Sequence, residues 1–468
     1  MPEGEQPNLE FLLMQAQTAR LENRLDEASQ FLLEAFNLDP QSIPALMEEA
    51  LIHQQLNHWP EARRCLEIII QAQPENTQVL NALGITWQSE GKFEKAVEQW
   101  EKITTLNPDH AEAWQNIGLA YEHLNNLPRA IAAHQKVVAL IPENARAHRL
   151  LGMAQLDYGL LPAANKCFDQ ALKIDSADPE NRWQRFFIRA LAGDFPNAWT
   201  NYECRLDLPG RTTPDHGFDQ PRWQGDSLPN KTLLLHAEQG YGDTLQIIRY
   251  APRVTERVGN ILLWVPAPLA DLMQSVADVN TVTTKKPDAT SFDVHLPLMS
   301  LPGVFEDSLE TIPNTVPYIG PTPPLPSTDE PKKIGIAWAG SGNQPLDRRS
   351  IPVEAFKPLL NKPNIEFHSL QLNQLTPSSM KDHQKEMTDF MATAKLVQSL
   401  DLVISVDTSI AHLAGALGKP VWILLSFAPD WRWGHEGTFS QWYPSAQLFR
   451  QNYGEAWEEV INRICTEI

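Results

Sequence analysis

The sequence predicts two kinds of structure in one chain: an N-terminal solenoid of paired helices, followed by two α/β domains with parallel sheets. Two observations support this fold class. The first half repeats small residues and prolines at a constant spacing, which is typical of stacked helical units. In the second half, short apolar segments alternate with amphipathic ones, which is typical of parallel strands connected by helices.

The composition and the charge exclude several classes of protein. The chain is 42% hydrophobic and 21% charged, which is typical of a folded protein. Its 468 residues include 38 basic and 58 acidic residues, for a net charge of -20. A chain this acidic is repelled by nucleic acid and by anionic lipid, so neither is an expected partner. No apolar run reaches about 18 residues, so the sequence predicts no membrane span.

The cysteines and the first residues predict a cytoplasmic protein. The four cysteines show no C-x-x-C spacing, which argues against a disulfide framework or a zinc site and favours a reducing compartment. The acidic start, MPEGEQPNLE, differs from a secretory signal, which would be basic and then apolar.

Three sets of residues recur every 34 residues in the first half. Small residues at fixed positions let paired helices approach closely, and prolines end one unit and open the next. The repeated positions are Ala28, Ala62, Ala96, Ala130, Ala164 and Ala198; Gly84, Gly118 and Gly152; and Pro40, Pro74, Pro108 and Pro142. We predict about five to six helix pairs over residues 8–207, with degenerate end units acting as caps.

One unit resembles the tetratricopeptide repeat. Six of its residues fall at the offsets of that signature: Trp114, Ile117, Gly118, Tyr121, Ala130 and Pro142. The resemblance implies a superhelix whose concave surface binds a peptide or a protein partner. We expect Trp87, Trp100 and Trp114 in the core between helices, and no catalytic side chain in the array.

The second half divides into two α/β units and the segments that join them. Residues 208–230 are rich in turn formers and are interpreted as a connector, and residues 231–316 form the first unit. Prolines mark residues 317–332 as an extended linker, and residues 333–468 form the second unit. Ligands of open parallel sheets bind beyond the carboxyl ends of the strands, so two such units predict a cleft there.

The most informative segment runs from Asp401 to Trp433. A hydrophobic strand ends in Asp407, Thr408 and Ser409, and a helix follows at once. These side chains are common helix caps, so one interpretation is a capped helix. The other interpretation adds a function, because the unpaired N–H groups and positive dipole end of a helix at this edge of a sheet form a diphosphate site.

This junction resembles the donor-site motif of the heptosyltransferase family of glycosyltransferases, an Asp-Thr-small-x-x-His-Leu run. Five residues match that motif position by position: Asp407, Thr408, Ser409, His412 and Leu413. The resemblance implies that Asp407, Thr408, Ser409 and His412 bind a nucleotide-diphosphate sugar. The alternative for His412 is a hydrogen bond within its helix or the core.

Two further segments resemble the same family. In QGYGDTLQIIRY (239–250), Asp243 matches the aspartate that the family is held to use as a base, although Tyr241 replaces a leucine. In WAGSGNQPLDRRSIP (338–352), Arg349 stands where the family often places a phosphate-binding lysine. Arginine also pairs with phosphate, so the substitution is compatible with that contact.

Candidate substrate-binding residues lie beside these motifs. Gly240 and Gly242 permit a tight turn that brings the backbone close to a substrate, and Gly340 belongs to the second glycine loop. Glu238, at a predicted strand end beside the same loop as Asp243, is a rival base to Asp243. Asp243 could also serve only as a cap for the helix that follows it.

The arginines near the predicted cleft are also open to two interpretations. Arg348 is a donor-binding candidate together with Arg349, but the two could instead form a solvated pair in a loop. Arg432 could reach a phosphate, and its neighbours Trp431 and Trp433 are expected to pack beneath the cleft.

The resemblance implies the GT-B fold, in which two Rossmann-like domains bind acceptor (231–316) and donor (333–468), and a metal-independent, inverting glycosyl transfer. No two aspartates lie two residues apart, so an Asp-x-Asp metal motif is absent, and we expect no metal and no cofactor beyond the nucleotide sugar as co-substrate. Repeats ahead of such a region also resemble the layout of O-GlcNAc transferase.

We therefore predict a glycosyltransferase of hexosyl- or heptosyltransferase type, acting on a protein or peptide acceptor that the repeats recruit. A second hypothesis is a non-catalytic repeat scaffold with a nucleotide-sugar-binding or degenerate α/β region. A third is a nucleotide-sugar epimerase, which can share the two-lobed architecture.

Overall fold

The computed structural model describes residues 8–210, 215–320, 331–340 and 346–468. The chain divides into two compact units, Met1–Gln155 and Leu156–Ile468. Paired helices are followed by two parallel sheets, which confirms the predicted fold class. Most of the proline-rich linker and the glycine loop after Gly340 lie outside the described residues.

The first unit is built from antiparallel helix pairs joined by short turns. Its helices are α1 (Leu9–Leu21), α2 (Leu25–Leu38), α3 (Ile43–Gln55), α4 (Trp59–Ala72), α5 (Thr77–Ser89), α6 (Phe93–Leu106), α7 (Ala111–His123) and α8 (Leu127–Leu140). Helix α9 (Ala145–Asp157) crosses the division between the units.

The 34-residue spacing has a direct packing cause. All six alanines of the repeated set are completely buried. A Cβ atom on Gly84 would lie 2.5 Å from the indole of Trp100, and one on Gly118 would lie 2.4 Å from the imidazole of His134. Each glycine therefore leaves room for one large side chain of the neighbouring helix. Trp100 is buried as predicted, whereas Trp87 and Trp114 are only half-buried.

Three further helices of the predicted repeat region belong to the second unit. They are α10 (Leu161–Ile174), α11 (Pro179–Leu191) and α12 (Phe195–Tyr202). A 3-10 turn over Glu203–Leu206 follows α12 directly. The predicted repeat segment 8–207 thus contributes helices to both compact units.

The first sheet has four parallel strands in the order β3-β2-β1-β4. Strand β1 begins at Leu228, within the segment predicted as a connector. The strands are β1 (Leu228–His236), β2 (Val258–Trp264), β3 (Thr281–Thr283) and β4 (Val294–Pro297). The helices are α13 (Tyr241–Ile247), α14 (Ala251–Thr255), α15 (Ala267–Met273) and α16 (Leu301–Val304).

The second sheet has six parallel strands in the order β10-β9-β8-β5-β6-β7. Its strands are β5 (Lys332–Ala337), β6 (Ile365–Ser369), β7 (Lys381–Asp382), β8 (Leu402–Val406), β9 (Val421–Leu425) and β10 (Ala446–Arg450). Its helices are α17 (Lys357–Leu360), α18 (Phe390–Gln398), α19 (Ser409–Ala416) and α20 (Trp457–Glu467).

The strand orders locate the candidate loops. In each sheet, successive strands are added on one side and then on the other. This reversal falls between the neighbouring strands β1 and β4 in the first sheet, and between β5 and β8 in the second. Ligands of open α/β sheets bind in the crevice that such a reversal leaves beyond the carboxyl ends of the strands. Asp243 follows β1, and Asp407 follows β8, so both candidate segments leave their sheets at a reversal point.

Within the described parts of the chain, no helix is both long and apolar enough to cross a membrane.

Gly118→Ala should destabilise the first unit by about 1–3 kcal/mol, because the added methyl group overlaps a buried imidazole that has no room to retreat. Differential scanning calorimetry measures this as a lower Tm. Ser89→Ala, on an exposed position of α5, is the matched control and should leave Tm unchanged. Equal Tm values for Gly118→Ala and the wild type would contradict the packing explanation.

Candidate active site

The two candidate loops adjoin because helices α13 and α19 pack closely near their first turns. A Cβ atom on Gly242 would lie 2.7 Å from Cδ2 of His412. The sequence predicts that Gly242 brings the backbone near a substrate. In the structure, the lack of a side chain at Gly242 lets α13 pack closely against His412. The contact brings Asp243 of the first α/β half towards Asp407 and His412 of the second.

Asp243 occupies the third position of α13 and has both oxygens engaged. Its Oδ2 accepts a hydrogen bond from the Gly240 amide at 2.8 Å, and its Oδ1 pairs with Arg432. Burial raises the pKa of Asp243 above its ordinary value, while Arg432 and the Gly240 amide lower it. Asp430 and Glu238 raise it further. The carboxylate therefore caps its own helix and is also held by an arginine from the opposite half.

Arg432 contacts two carboxylates and one side-chain amide. Its Nη1 donates to Asp430 at 2.8 Å, its Nε donates to Gln246 at 2.8 Å, and its Nη2 pairs with Asp243. The guanidinium also lies 4.4 Å from the centroid of the Trp431 ring. All three of its nitrogens have protein partners, so the geometry supports a positioning role for Arg432 more directly than the predicted phosphate contact.

Glu238, the rival base, lies in a completely buried ion pair. Its Oε1 accepts from Arg205 Nη2 at 2.6 Å, and its Oε2 accepts from Arg205 Nε at 3.0 Å. The Met299 amide donates to Oε1 at 3.2 Å. The Glu238 side chain has no exposed surface, whereas 17% of the Asp243 side chain remains exposed, so the geometry favours Asp243 over Glu238 as the candidate base.

The Asp407–Ser409 junction forms the start of α19 as the sequence predicts. Thr408 is the N-cap, and its hydroxyl accepts from the Ile410 amide at 3.3 Å. Ser409 is the first residue of the helix. Burial, and then the neighbouring Asp430, raise the pKa of Asp407 to about 6. Thr408 therefore caps α19, as the first interpretation predicts. The start of α19 also lies at the reversal point of the sheet, as the second interpretation requires.

His412 is buried in the same helix, and its ring is fixed on two sides. Its Nδ1 shares a hydrogen bond of 2.8 Å with the Tyr443 hydroxyl, and its ring stacks on Trp433 at a centroid distance of 5.3 Å. Its Nε2 lies 3.9 Å from Asp407 Oδ1. Burial and two nearby arginines hold the pKa of His412 well below its ordinary value, so the imidazole is neutral at neutral pH.

The side chains of Arg349 and Arg348 contact different parts of the protein. Arg349 Nη1 donates to the Asp407 carbonyl at 3.1 Å, and its Nη2 would lie 2.8 Å from a Cβ atom on Gly340. Its charge therefore lies between the Gly340 loop and the segment that leads into α19. Arg348 instead pairs with Asp157 and lies over the Phe427 ring at 5.3 Å. The structure brings Arg349 to the candidate site and engages Arg348 elsewhere.

The site can therefore combine two kinds of chemistry. A buried carboxylate on the first half can accept a proton, and a helix start with an adjacent arginine on the second half can bind an anion. In the described ranges, no group of three or more histidine, cysteine, aspartate or glutamate side chains is arranged to hold a metal.

The sequence analysis did not identify three residues that hold predicted site residues in place. Tyr443, Arg205 and Asp430 have no motif of their own, although each fixes a predicted site residue. Asp430 offered one local signal, because an aspartate two residues before an arginine can cap a turn and pair with that arginine.

Two parallel sheets, each with a reversal point followed by a candidate loop, form an architecture in which ligands bind beyond the carboxyl ends of the strands. Comparison with known families agrees. Residues 88–142 match the tetratricopeptide repeat, and residues 386–450 match glycosyltransferase family 9 (heptosyltransferase). The chain thus matches the tetratricopeptide repeat and family 9 over parts of its length, which supports glycosyltransferase activity in general. Asp243 and Arg349 lie outside the matched segment.

Similar proteins share parts of this chain. Protein FlbA of Caulobacter vibrioides is 25% identical over 357 residues, which cover 67% of this chain and 59% of FlbA. The chain therefore spans less than two thirds of that relative. Among solved structures, the MamA protein is 20% identical, with a TM-score of 0.34, over 36% of this chain and 92% of its own. A tetratricopeptide repeat protein from Parabacteroides merdae is 19% identical, with a TM-score of 0.39, over 43% of this chain and 80% of its own.

Asp407→Asn should change how stability depends on pH. The folded pKa of about 6 exceeds the ordinary value near 3.8, so ionising Asp407 costs stability as pH rises from about 4 to about 6. The asparagine variant lacks this loss, so its unfolding free energy relative to wild type should rise by on the order of 3 kcal/mol between pH 4 and pH 7.

Denaturant unfolding at the two pH values measures the difference, and Asp109→Asn, at an exposed position, is the control. A difference between Asp407→Asn and wild type that is the same at both pH values would show that Asp407 is not buried as the structure has it.

Proposed function

We propose that the protein is a metal-independent, inverting glycosyltransferase that moves a sugar from a nucleotide-diphosphate donor to a hydroxyl group of an acceptor. One observation carries the proposal: α13 and α19 adjoin at Gly242 and His412, so a base and an anion-binding helix start share one site. The family 9 match over the α19 region supports the reaction class.

The first step is removal of the acceptor proton. Asp243 takes the proton of the hydroxyl, and the freed oxygen forms a bond to the anomeric carbon of the sugar. A pKa raised by burial suits a base of this kind, because it brings proton affinity nearer to neutral pH. Attack from the side opposite the leaving group inverts the anomeric centre.

The second step is departure of the nucleoside diphosphate. As the bond between the anomeric carbon and the diphosphate oxygen breaks, negative charge grows on that oxygen. The amides at the start of α19, the hydroxyls of Thr408 and Ser409, and the Arg349 guanidinium can stabilise this charge without a metal. Neutral His412, fixed by Tyr443, contributes a hydrogen-bonding nitrogen beside them.

The repeats would recruit the acceptor, a protein or peptide. Helices α1, α3 and α5 supply a groove lined by Leu13, Met14, Met47 and Val79 together with polar side chains. A groove lined by both apolar and polar side chains suits a peptide, which supports a protein acceptor.

Asp243→Asn should abolish transfer, because the amide keeps the shape of the side chain but cannot take the proton. Arg432 loses one ion pair but keeps Asp430 as a partner at 2.8 Å, so we expect donor affinity to stay nearly intact. We would measure sugar transfer by mass spectrometry, with and without a chelator, and binding of nucleotide sugars by calorimetry. Undiminished transfer would assign the base elsewhere. If no nucleotide sugar binds the wild type, the protein is a scaffold. A changed donor in the absence of acceptor would indicate an epimerase.

Arg349→Ala should weaken binding of nucleoside diphosphates about ten- to a hundred-fold, because a charge-assisted contact to the diphosphate is lost. Isothermal titration calorimetry gives the Kd. Arg463→Ala, an exposed arginine paired with Glu455, is the matched control and should bind as wild type does. Equal affinity for Arg349→Ala and the control would remove Arg349 from the donor site.

A further inference from the structure

The last repeat helices contact both α/β halves. Trp199 of α12 donates from its indole to the Asp307 carbonyl of the first half at 2.9 Å. On the other side, the His435 amide of the second half donates to the Leu191 carbonyl of α11 at 3.2 Å. Helices α11 and α12 are therefore built into the same compact unit as the candidate active site.

An aromatic cluster joins these helices to the turn that carries Arg432. Trp431, immediately before Arg432, is almost completely buried. Four rings from α11 and α12 lie around it in edge-on arrangements, with centroid distances of 5.3, 6.0, 5.8 and 6.4 Å for Phe186, Phe195, Trp199 and Tyr202 respectively. Aromatic side chains packed in this way fix one another, since a dense interior deforms little.

A continuous path of contacts leads from this cluster to the base. The Arg432 guanidinium lies 4.4 Å from the centroid of the Trp431 ring and pairs with Asp243. The position of Trp431 therefore limits where Arg432 can lie, and Arg432 holds one oxygen of Asp243.

A second path of contacts begins at Tyr202, one of the four rings around Trp431. The Arg205 guanidinium lies 4.3 Å from the centroid of the Tyr202 ring and forms the buried ion pair with Glu238. Glu238 precedes Asp243 by five residues in the segment that follows β1. Tyr202 thus contacts both the residue that fixes this segment and the cluster that fixes Arg432.

We propose that helix α12 and the 3-10 turn after it are part of the catalytic unit, with Tyr202 and Arg205 as positioning residues that hold Arg432 and the Glu238–Asp243 segment in place. The catalytic consequence rests on the function proposed above, but the positioning itself does not. Tyr202 acts through its ring, because its hydroxyl has no hydrogen-bond partner among the described residues.

Three full-length variants test this. Tyr202→Leu removes the ring, Tyr202→Phe keeps the ring and removes only the hydroxyl, and Tyr121→Leu makes the same change in helix α7 of the first unit. The first readout is amide hydrogen exchange at Gly240, because that amide donates to Asp243 and reports its position without any turnover. We expect exchange about ten-fold faster or more in Tyr202→Leu, and wild-type exchange in Tyr202→Phe and Tyr121→Leu.

The second readout is the pH profile of transfer. In Tyr202→Leu, a displaced Arg432 lowers the pKa of Asp243 less, so the acidic limb of kcat/KM should move to higher pH. The kcat should fall about a hundred-fold with little change in the KM for the donor, as misplacement of a reacting group predicts. Tyr202→Phe should restore both values.

If Tyr202→Leu does not fold, Arg205→Lys replaces it, since lysine keeps the charge but loses the two-point contact with Glu238. Unchanged Gly240 exchange in the folded variant, or an equal change in Tyr121→Leu, would overturn the proposal. A wild-type chain that transfers no sugar would refute the proposed function alone, because hydrogen exchange would still decide whether α12 positions Asp243.

Discussion

The ion pair between Arg432 and Asp243 is the interaction on which the candidate site depends. It joins the second α/β half to the first, and most of both side chains is removed from water. A buried charge that loses its partner destabilises a protein by about 3–5 kcal/mol, so the two halves are constrained to meet in the arrangement that keeps this pair. Arg249 reinforces the arrangement by donating to Tyr318 at 2.8 Å and to the Trp442 carbonyl.

The site places an arginine beside a helix start in a chain that is acidic overall. The protein carries a net charge of -20, which would repel a diphosphate at long range. Arg349 offers a positive charge beside the segment that enters α19, and the helix start adds its own partial charge. Arg432 is paired closely with both Asp243 and Asp430, whereas Arg349 has one longer ion pair, with Asp347 at 3.5 Å, so Arg349 is the arginine better placed to meet an anionic ligand.

Much of the fold follows from local patterns in the sequence. The 34-residue spacing identified the alanines that are completely buried and the glycines that face large side chains. The first strand of the α/β region, Leu228–His236, begins close to the predicted start of the first α/β unit at residue 231, and the helix predicted after Asp407, Thr408 and Ser409 begins at Ser409. These features are encoded by periodicity and capping, which act over a few residues.

The candidate site was only partly predictable, because its decisive contacts join distant segments. Neighbouring arginines in one motif, Arg348 and Arg349, point to different partners, and nothing in the motif separates them. The role of Arg432 depends on Asp243, which lies 189 residues earlier in the chain. Likewise, the burial of Glu238 against Arg205 becomes visible only when the last repeat helix is packed in place.

The most direct test of this account is the titration of the Asp243 carboxyl carbon by 13C NMR in the wild type and in Arg432→Gln, with the signal assigned by its absence in an Asp243 variant. The ion pair lowers the pKa of Asp243 against the effect of burial, so the account predicts a clearly higher pKa in Arg432→Gln. The same pKa in both proteins would show that Arg432 does not hold the Asp243 carboxylate, and would contradict the account.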